Sequence, residues 1–66
     1  MKITVNGTAH QCADSALVSD LLMQLDLVGK RVALERNGDI VPRSQHALVA
    51  LAEGDQIEIV VAVGGG

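Results

Sequence analysis

The sequence contains no phenylalanine, tyrosine or tryptophan among its 66 residues. Any hydrophobic core must therefore be aliphatic, built from the leucine, isoleucine, valine, alanine and methionine that dominate the 48% of the chain that is apolar. The absence of aromatic rings argues against single-stranded nucleic acid as a partner, because such proteins stack bases on aromatic side chains. The net charge of −3 argues in the same direction, since nucleic-acid-binding domains usually carry an excess of basic residues.

Cysteine is almost as scarce, with Cys12 as its single example. One thiol excludes an internal disulfide framework and a four-cysteine iron–sulfur site. His10 and His46 have no neighbours at metal-ligand spacing, so we expect no metal site. No apolar run is long enough to span a membrane, and no basic segment precedes an apolar one as in a signal peptide. We therefore expect a cytoplasmic protein that binds neither nucleic acid nor membrane.

Basic residues are absent from the chain after Arg43. From Ser44 onward the only charged side chains are those of Glu53, Asp55 and Glu58. This asymmetry predicts that a partner docking at the C-terminal end presents a basic surface there. The same three acids are equally compatible with a solvated turn.

The start of the chain predicts a β-hairpin. Apolar and polar residues alternate over positions 1–5, and Asn6-Gly7 is a strong signal for a two-residue turn. The register that follows has three pairs on one face: Val5 with Thr8, Ile3 with His10, and Met1 with Cys12. We interpret Cys12 as a small buried hydrophobe rather than a reactive thiol.

A change in the spacing of apolar residues after the hairpin, from every second residue to every third or fourth, predicts an amphipathic helix. One helical face collects Leu17, Val18, Leu21, Leu22 and Leu25. Asp14 or Ser15 is expected to cap its start, and Gly29 its C-terminal end. Further on, Ser44 is expected to cap a single helical turn and His46 to lie in a loop.

The remaining strands complete a fold. A short strand is expected over 32–36, followed by a turn at Asn37-Gly38. A last strand is expected over 56–63 with both faces at least partly covered, either as a central strand or as a strand whose outer face meets a partner. If this last strand pairs in parallel with the first through a right-handed crossover, the arrangement is a β-grasp. We predict an α+β, ubiquitin-like β-grasp of residues 1–63, with a mixed sheet and one main helix packed on one face.

Residues 64–66 are predicted to form a flexible glycine tail. Three extended residues span about 10 Å, and without side chains they can enter a narrow site while the folded domain stays outside. A terminal carboxylate is a poor electrophile until an enzyme converts it to an adenylate. The tail therefore predicts a carrier whose functional group is the Gly66 carboxylate, and not an enzyme, although a frayed end would explain the glycines alone.

Several segments resemble the thiamine-biosynthesis sulfur carrier family, ThiS: KITVNG, ERNGDIVPRSQH, EGDQIEIV and the terminal VGGG. The resemblance covers nearly the whole chain, and it departs from the family at Leu17, where a threonine cap is common. It implies that an adenylating enzyme of the ubiquitin-activating type uses ATP to activate Gly66. Sulfur from a donor such as a cysteine desulfurase would then give a thiocarboxylate that supplies thiazole synthase.

In this interpretation the chain binds no cofactor, Gly66 carries the chemistry, and Gly64 and Gly65 provide reach. The candidate docking residues are Val60 and Ala62 on the outer face of the last strand, with Arg36 and Arg43 as candidate ion-pairing residues at that surface. Two alternatives remain. One is a sulfur carrier for another pathway, such as molybdopterin synthesis, and the other is a ubiquitin-like modifier or adaptor.

Overall fold

A computed structural model describes residues 1–62 and contains a five-stranded sheet with one α-helix on one face. The elements in chain order are β1 (Lys2–Val5), β2 (Thr8–Gln11), α1 (Val18–Gln24), β3 (Val32–Arg36), β4 (Asp39–Ile40), a 3₁₀ helix (Arg43–Gln45) and β5 (Gln56–Val61). The strand order is β2-β1-β5-β3-β4, with β5 parallel to β1 and antiparallel to β3. The predicted β-grasp and its parallel crossover are confirmed. The predicted boundary between residues 1–63 and the tail lies outside the described residues.

Both Asn-Gly pairs form the predicted turns. Asn6 and Asn37 have φ angles of 50° and 52°, and Gly7 and Gly38 follow at 82° and 89°. A type I′ turn requires positive φ at both central residues, and asparagine tolerates this conformation better than most residues. The structure also confirms the predicted hairpin register, which pairs Val5 with Thr8 and Ile3 with His10.

The side chains of the two turn asparagines also hold β5 in place. On the β1 side, Asn6 accepts a hydrogen bond from the N–H of Ile59 (2.7 Å) and donates one to its carbonyl (3.1 Å). On the β3 side, the Asn37 side chain accepts the N–H of Gln56 at 2.9 Å. These amides continue the hydrogen-bond ladder where the neighbouring strands turn away. The sequence predicted the turns but gave no sign of this second use.

The hydrophobic core lies between α1 and the inner face of the sheet. Its most deeply buried side chains, each at most 1% exposed, are Ile3, Val18, Leu21, Leu34 and Ile57. All are aliphatic, as the composition requires. Cys12 is half-buried and packs against this core, which agrees with its interpretation as a small hydrophobe.

The start of α1 differs from the prediction. The helix begins at Val18, and its N-cap is Leu17, whose backbone N–H donates to the Asp20 carboxylate at 2.8 Å. Neither Asp14 nor Ser15 caps it. Ser15 has a φ of 64°, in the left-handed region, whereas an N-cap residue needs extended backbone.

The end of α1 also comes earlier than predicted. The helix ends at Gln24, and Asp26 takes the left-handed position just beyond its C-cap, with a φ of 59°. The N–H groups of Asp26 and Leu27 donate to carbonyls in the last helical turn at 3.1 and 2.8 Å, which are the two bonds of a Schellman motif. Gly29 has positive φ in the following turn and is not the cap. Glycine is the usual residue at this position, which explains why the spacing favoured Gly29 over Asp26.

We expect Asp26→Gly to raise the free energy of unfolding by about 1 kcal/mol, because it removes the steric cost of a left-handed non-glycine residue and a negative charge at the negative end of the helix dipole. Urea unfolding would measure the change. Asp26→Ala is the control, because it removes the charge but keeps the β-carbon. A glycine variant no more stable than the alanine variant would show that backbone strain is not the cause.

The segment after β4 buries a histidine. The predicted helical turn is the 3₁₀ helix, which Pro42 precedes as N-cap, so Ser44 lies inside it rather than capping it. His46 follows as the C-cap and is 8% exposed, not on an open loop. Its Nε2 lies 3.0 Å from the carbonyl oxygen of Val41. This hydrogen bond explains how a polar ring is accommodated in the interior.

Candidate functional site

The predicted carrier residues Gly64, Gly65 and Gly66 lie outside the described residues, so the site is built from the strand that leads to them. That strand is β5, at the centre of the sheet. Just beyond it, the N–H of Ala62 donates to the carbonyl of Arg31 at 2.8 Å. The chain is therefore held against the start of β3 as far as Ala62, and the candidate site begins at this end of β5.

The outer face of β5 carries an exposed apolar patch next to this end. Side chains alternate along a strand, so Ile57 and Ile59 enter the core while Val60 faces outward. Val60 is 67% exposed, and its partner Ala33 on β3 is also exposed, as is Ala62. We call Ala33, Val60 and Ala62 the outer patch. Exposed apolar surface on a central strand is typical of a protein-contact site.

Two carboxylates face each other on the same side of the sheet. Glu35 on β3 is directly opposite Glu58 on β5, one residue pair removed from Leu34 and Ile59. Like charges in this position destabilise a sheet, and within residues 1–62 neither glutamate forms an ion pair. A cationic side chain of a partner would relieve this repulsion, and the basic partner surface stays a prediction.

The other two acids near the C-terminal end do not belong to this surface. Both carboxylate oxygens of Glu53 accept the backbone N–H of Lys2 at 3.1 Å, at the opposite end of β5 from Ala62. Asp55 is only 5% exposed. The prediction of an acidic end was therefore wrong for Glu53 and Asp55, because residues that precede a strand lie at the far end from residues that follow it.

Asp55 is the centre of a buried polar cluster at the start of β5. Its carboxylate accepts hydrogen bonds from the Arg36 guanidinium (2.7 Å), the Asn37 side chain (3.0 Å) and the backbone N–H of Ala52 (2.8 Å). Burial alone would raise the pKa of Asp55, but these hydrogen bonds and the charge of Arg36 outweigh it and hold the pKa below its usual value. The cluster ties the β3–β4 turn to the strand that leads to the candidate site.

Arg36 and Arg43 do not lie beside the outer patch. Arg36 lies two residues after Leu34 on β3, so its side chain is on the same inner face of the sheet. Its guanidinium forms an ion pair with Asp55. Arg43 lies in the 3₁₀ helix on the side of the sheet that carries α1. The prediction that these arginines form ion pairs around Val60 is corrected by this placement, because each faces the other side of the sheet.

Arg43 lies instead on an open groove of about 220 Å³ between α1, the start of β3 and the 3₁₀ helix. The residues that shape it include Leu22, Leu27, Val28, Lys30, Arg43 and His46, and we call it the helix-side groove. No pattern in the sequence predicted this groove. No local signal marks it, because its lining residues come from three separate segments of the chain.

The described part of the chain, residues 1–62, contains neither a metal-binding cluster nor a membrane-crossing helix. No group of three or more histidine, cysteine, aspartate or glutamate residues within it is placed to hold a metal ion. No helix within it is long and apolar enough to cross a bilayer. His10 is half-buried on the inner face of the hairpin, as predicted.

Comparison with known proteins places this chain in a family. A model of the ThiS family matches residues 3–66. The chain belongs to the ThiS family. The sulfur carrier protein ThiS of Escherichia coli is 42% identical over 66 residues, which cover 100% of both chains. The crystal structure of the thiamine biosynthesis protein (ThiS) from Geobacter metallireducens matches with a TM-score of 0.84 and 32% identity, again over 100% of both chains.

A third relative is larger. A thiazole synthase of Paramagnetospirillum magneticum is 44% identical over 100% of this chain, which spans only 20% of the synthase. A ThiS-family domain therefore also occurs within a longer thiazole synthase polypeptide. Together, the family match and the structural neighbour confirm the resemblance to ThiS and the ubiquitin-like β-grasp fold.

Proposed function

We propose that this protein is the sulfur carrier of thiamine biosynthesis and that sulfur is carried on the carboxyl group of Gly66. The observation that carries the proposal is the match over the whole chain to the Escherichia coli sulfur carrier ThiS. The structure supports it because the strand that leads to Gly66 lies at the centre of the sheet and is held at both edges, by Asn6 and Asn37. A carrier needs such a rigid base for the group it presents.

The first chemical step activates the carboxylate. It is ionised at neutral pH, with an ordinary pKa of about 3.3–3.7, and resists attack by nucleophiles. In an adenylating enzyme of the ubiquitin-activating type, a carboxylate oxygen of Gly66 would attack the α-phosphorus of ATP. The bond to pyrophosphate breaks, and the product is an acyl adenylate with AMP as a good leaving group.

The second step introduces sulfur. A sulfur nucleophile from a donor such as a cysteine desulfurase attacks the carbonyl carbon of Gly66, a C–S bond forms, and the bond to AMP breaks. If the donor is a protein persulfide, the product is an acyl disulfide. A thiol then attacks the donor's sulfur, the S–S bond breaks to release the thiocarboxylate, and the thiol is oxidised to a disulfide with the donor. Thiazole synthase is the proposed acceptor, and the thiazole synthase relative supports this choice.

In this cycle the chain acts as a carrier and not as an enzyme. It provides the reacting carboxylate at Gly66, while Gly64 and Gly65 provide reach into the partner's active site. Val60 and Ala62 of the outer patch provide an apolar surface beside the point where the tail begins, and the repulsion between Glu35 and Glu58 favours a partner with a basic side chain there.

The intact mass of the protein tests the proposal. After incubation with ATP, an adenylating enzyme and a sulfur donor, we expect a mass gain equal to replacing one oxygen by sulfur, located on Gly66 by fragmentation. An unchanged mass with a demonstrably active enzyme would contradict it. The alternative pathway is distinguished in a deletion strain, where a thiamine requirement supports the proposal and a molybdenum-cofactor defect without one contradicts it.

A further inference from the structure

We propose that the helix-side groove is a second contact for thiazole synthase, and that it takes an acidic segment of the synthase in which an apolar side chain lies next to a carboxylate. The proposal rests on the proposed function, because it assumes that the synthase receives the tail. It adds a surface on the face of the sheet opposite the outer patch.

The charges around the groove identify the chemistry of the occupant. Lys30 and Arg43 both line it and are exposed, while none of the lining residues within the described chain is acidic. This is a local excess of positive charge in a protein that has eight acidic and only five basic side chains. Neither cation forms an ion pair within residues 1–62, so both are available to a carboxylate of the partner.

The floor of the groove requires an apolar group as well. Leu22 and Leu27 form part of it, and Val28 at its edge is 67% exposed. One wall is fixed, because Nε2 of the buried His46 donates to the Val41 carbonyl at 3.0 Å. A preformed apolar floor below two cations fits a side chain such as leucine or isoleucine beside an aspartate or glutamate.

The size of the groove selects side chains rather than a small-molecule ligand. Its volume is about 220 Å³, below the range of about 300–1,000 Å³ that is usual for sites that enclose cofactors or drug-sized molecules. One or two side chains of a protein segment would fill it. The occupant is therefore best described as part of a protein surface.

The groove is continuous with the start of the tail. Val32 lines the groove and pairs with Val61 of β5, and Lys30 directly precedes Arg31, whose carbonyl binds the N–H of Ala62. A protein that holds the tail beyond Ala62 therefore lies beside the groove. The same partner can occupy both without any rearrangement of the domain.

The larger relative favours thiazole synthase as that partner. In Paramagnetospirillum magneticum a domain 44% identical to this chain is part of a thiazole synthase polypeptide. Covalent linkage raises the effective concentration of two surfaces for each other, often to the millimolar range. At such a concentration, even a contact that is too small to be stable alone is occupied. The helix-side groove is small enough to be a contact of this type.

Charge reversal on two matched lysines tests the proposal. The dissociation constant of the separate thiazole synthase would be measured by calorimetry for the wild type, Lys30→Glu and Lys2→Glu. Both lysines are exposed, but Lys2 lies at the opposite end of β5, beside Gly54. We expect Lys30→Glu to weaken binding about tenfold, because it places like charges in contact, and Lys2→Glu to change it less than about twofold.

A second matched pair tests the apolar floor. Val28 and Met23 are each 67% exposed, but only Val28 lines the groove. Val28→Asp is expected to weaken synthase binding about tenfold and Met23→Asp to leave it nearly unchanged. Equal dissociation constants within either pair would overturn the proposal. Unchanged circular dichroism of the four variants would show that each remains folded.

The groove proposal and the proposed carrier function can fail independently of each other. If the wild-type chain gains sulfur at Gly66 while Lys30→Glu and Lys2→Glu bind the synthase equally, the groove proposal fails and the carrier function stands. If the matched pairs differ as expected but no sulfur is loaded onto Gly66, the carrier function fails and the groove contact stands.

Discussion

Adding one alanine after Gly66 is expected to abolish sulfur loading, with a fall of at least about 100-fold in the rate of ATP–pyrophosphate exchange with the adenylating enzyme. One extended residue moves the carboxylate by about 3.5 Å, and a misplacement of about 1 Å can already cost about 100-fold. The added residue also brings a β-carbon to a position that glycine leaves empty. Intact mass after incubation with the sulfur donor would measure the loss directly.

Two comparisons make this result specific. Gly66→Ala keeps the length of the chain and adds only the β-carbon, so it separates the effect of a side chain from the effect of length. The dissociation constant of the extended chain for the adenylating enzyme should stay within about twofold of the wild-type value. The outer patch is unchanged in this variant, and most interface variants weaken binding by removing contacts. Loading of the extended chain at the wild-type rate would show that the carboxylate of Gly66 is not the carrier group.

The features that were predicted correctly depend on local patterns. The Asn-Gly pairs fixed the turns because few residues other than asparagine and glycine tolerate positive φ at those positions. The change from alternating to helical spacing located α1, and the order of elements left a β-grasp as the simplest way to bury its leucines. The carrier role of Gly64, Gly65 and Gly66 is not among these features and stays a prediction, because these residues lie outside the described part of the chain.

The features that were missed depend on contacts between distant parts of the chain. The partner of Arg36 is Asp55, 19 positions away, and its identity depends on the register of β3 against β5. Asn6 and Ile59 are 53 positions apart. Alternation along a strand predicts two faces but not which face is buried, and for that reason Arg36 was assigned to the wrong side. The end of α1 was misplaced because Asp26 occupies the left-handed position after the helix. Glycine is the usual residue there, so the spacing pointed to a glycine instead.

Removal of the Asp55 carboxylate is expected to have the largest effect on stability. Asp55→Ala should lower the free energy of unfolding at about pH 7 by roughly 3 kcal/mol, because it leaves three donors without their acceptor, one of them the Arg36 guanidinium. Urea unfolding would measure the change. Asp39→Ala is the matched control, since Asp39 is exposed on β4 and should contribute less than about 0.5 kcal/mol.

The effect of Asp55 should depend on pH in one direction. Its pKa in the folded chain is held below the ordinary value of about 3.9. The unfolded chain therefore binds the proton more readily, and the stability that Asp55 provides is fully present above about pH 3.9 and is lost as the pH falls through the lower folded pKa. The wild type and Asp55→Ala should accordingly converge in stability in acid.

The consequence for function follows from the size of the domain. At roughly 0.05–0.15 kcal/mol per residue, a chain of 66 residues has about 3–10 kcal/mol of stability, so a loss of about 3 kcal/mol can leave a substantial unfolded fraction. If Asp55→Ala does not fold, Asp55→Asn replaces it in the test. Asparagine keeps the shape of the side chain and two acceptor positions on its oxygen, but it removes the charge that pairs with Arg36. A stability equal to that of the wild type in Asp55→Asn, with the same pH dependence, would show that the cluster does not hold the start of β5. A destabilised but folded Asp55→Asn should still load sulfur at Gly66, because the cluster lies at the end of β5 that is farthest from the tail.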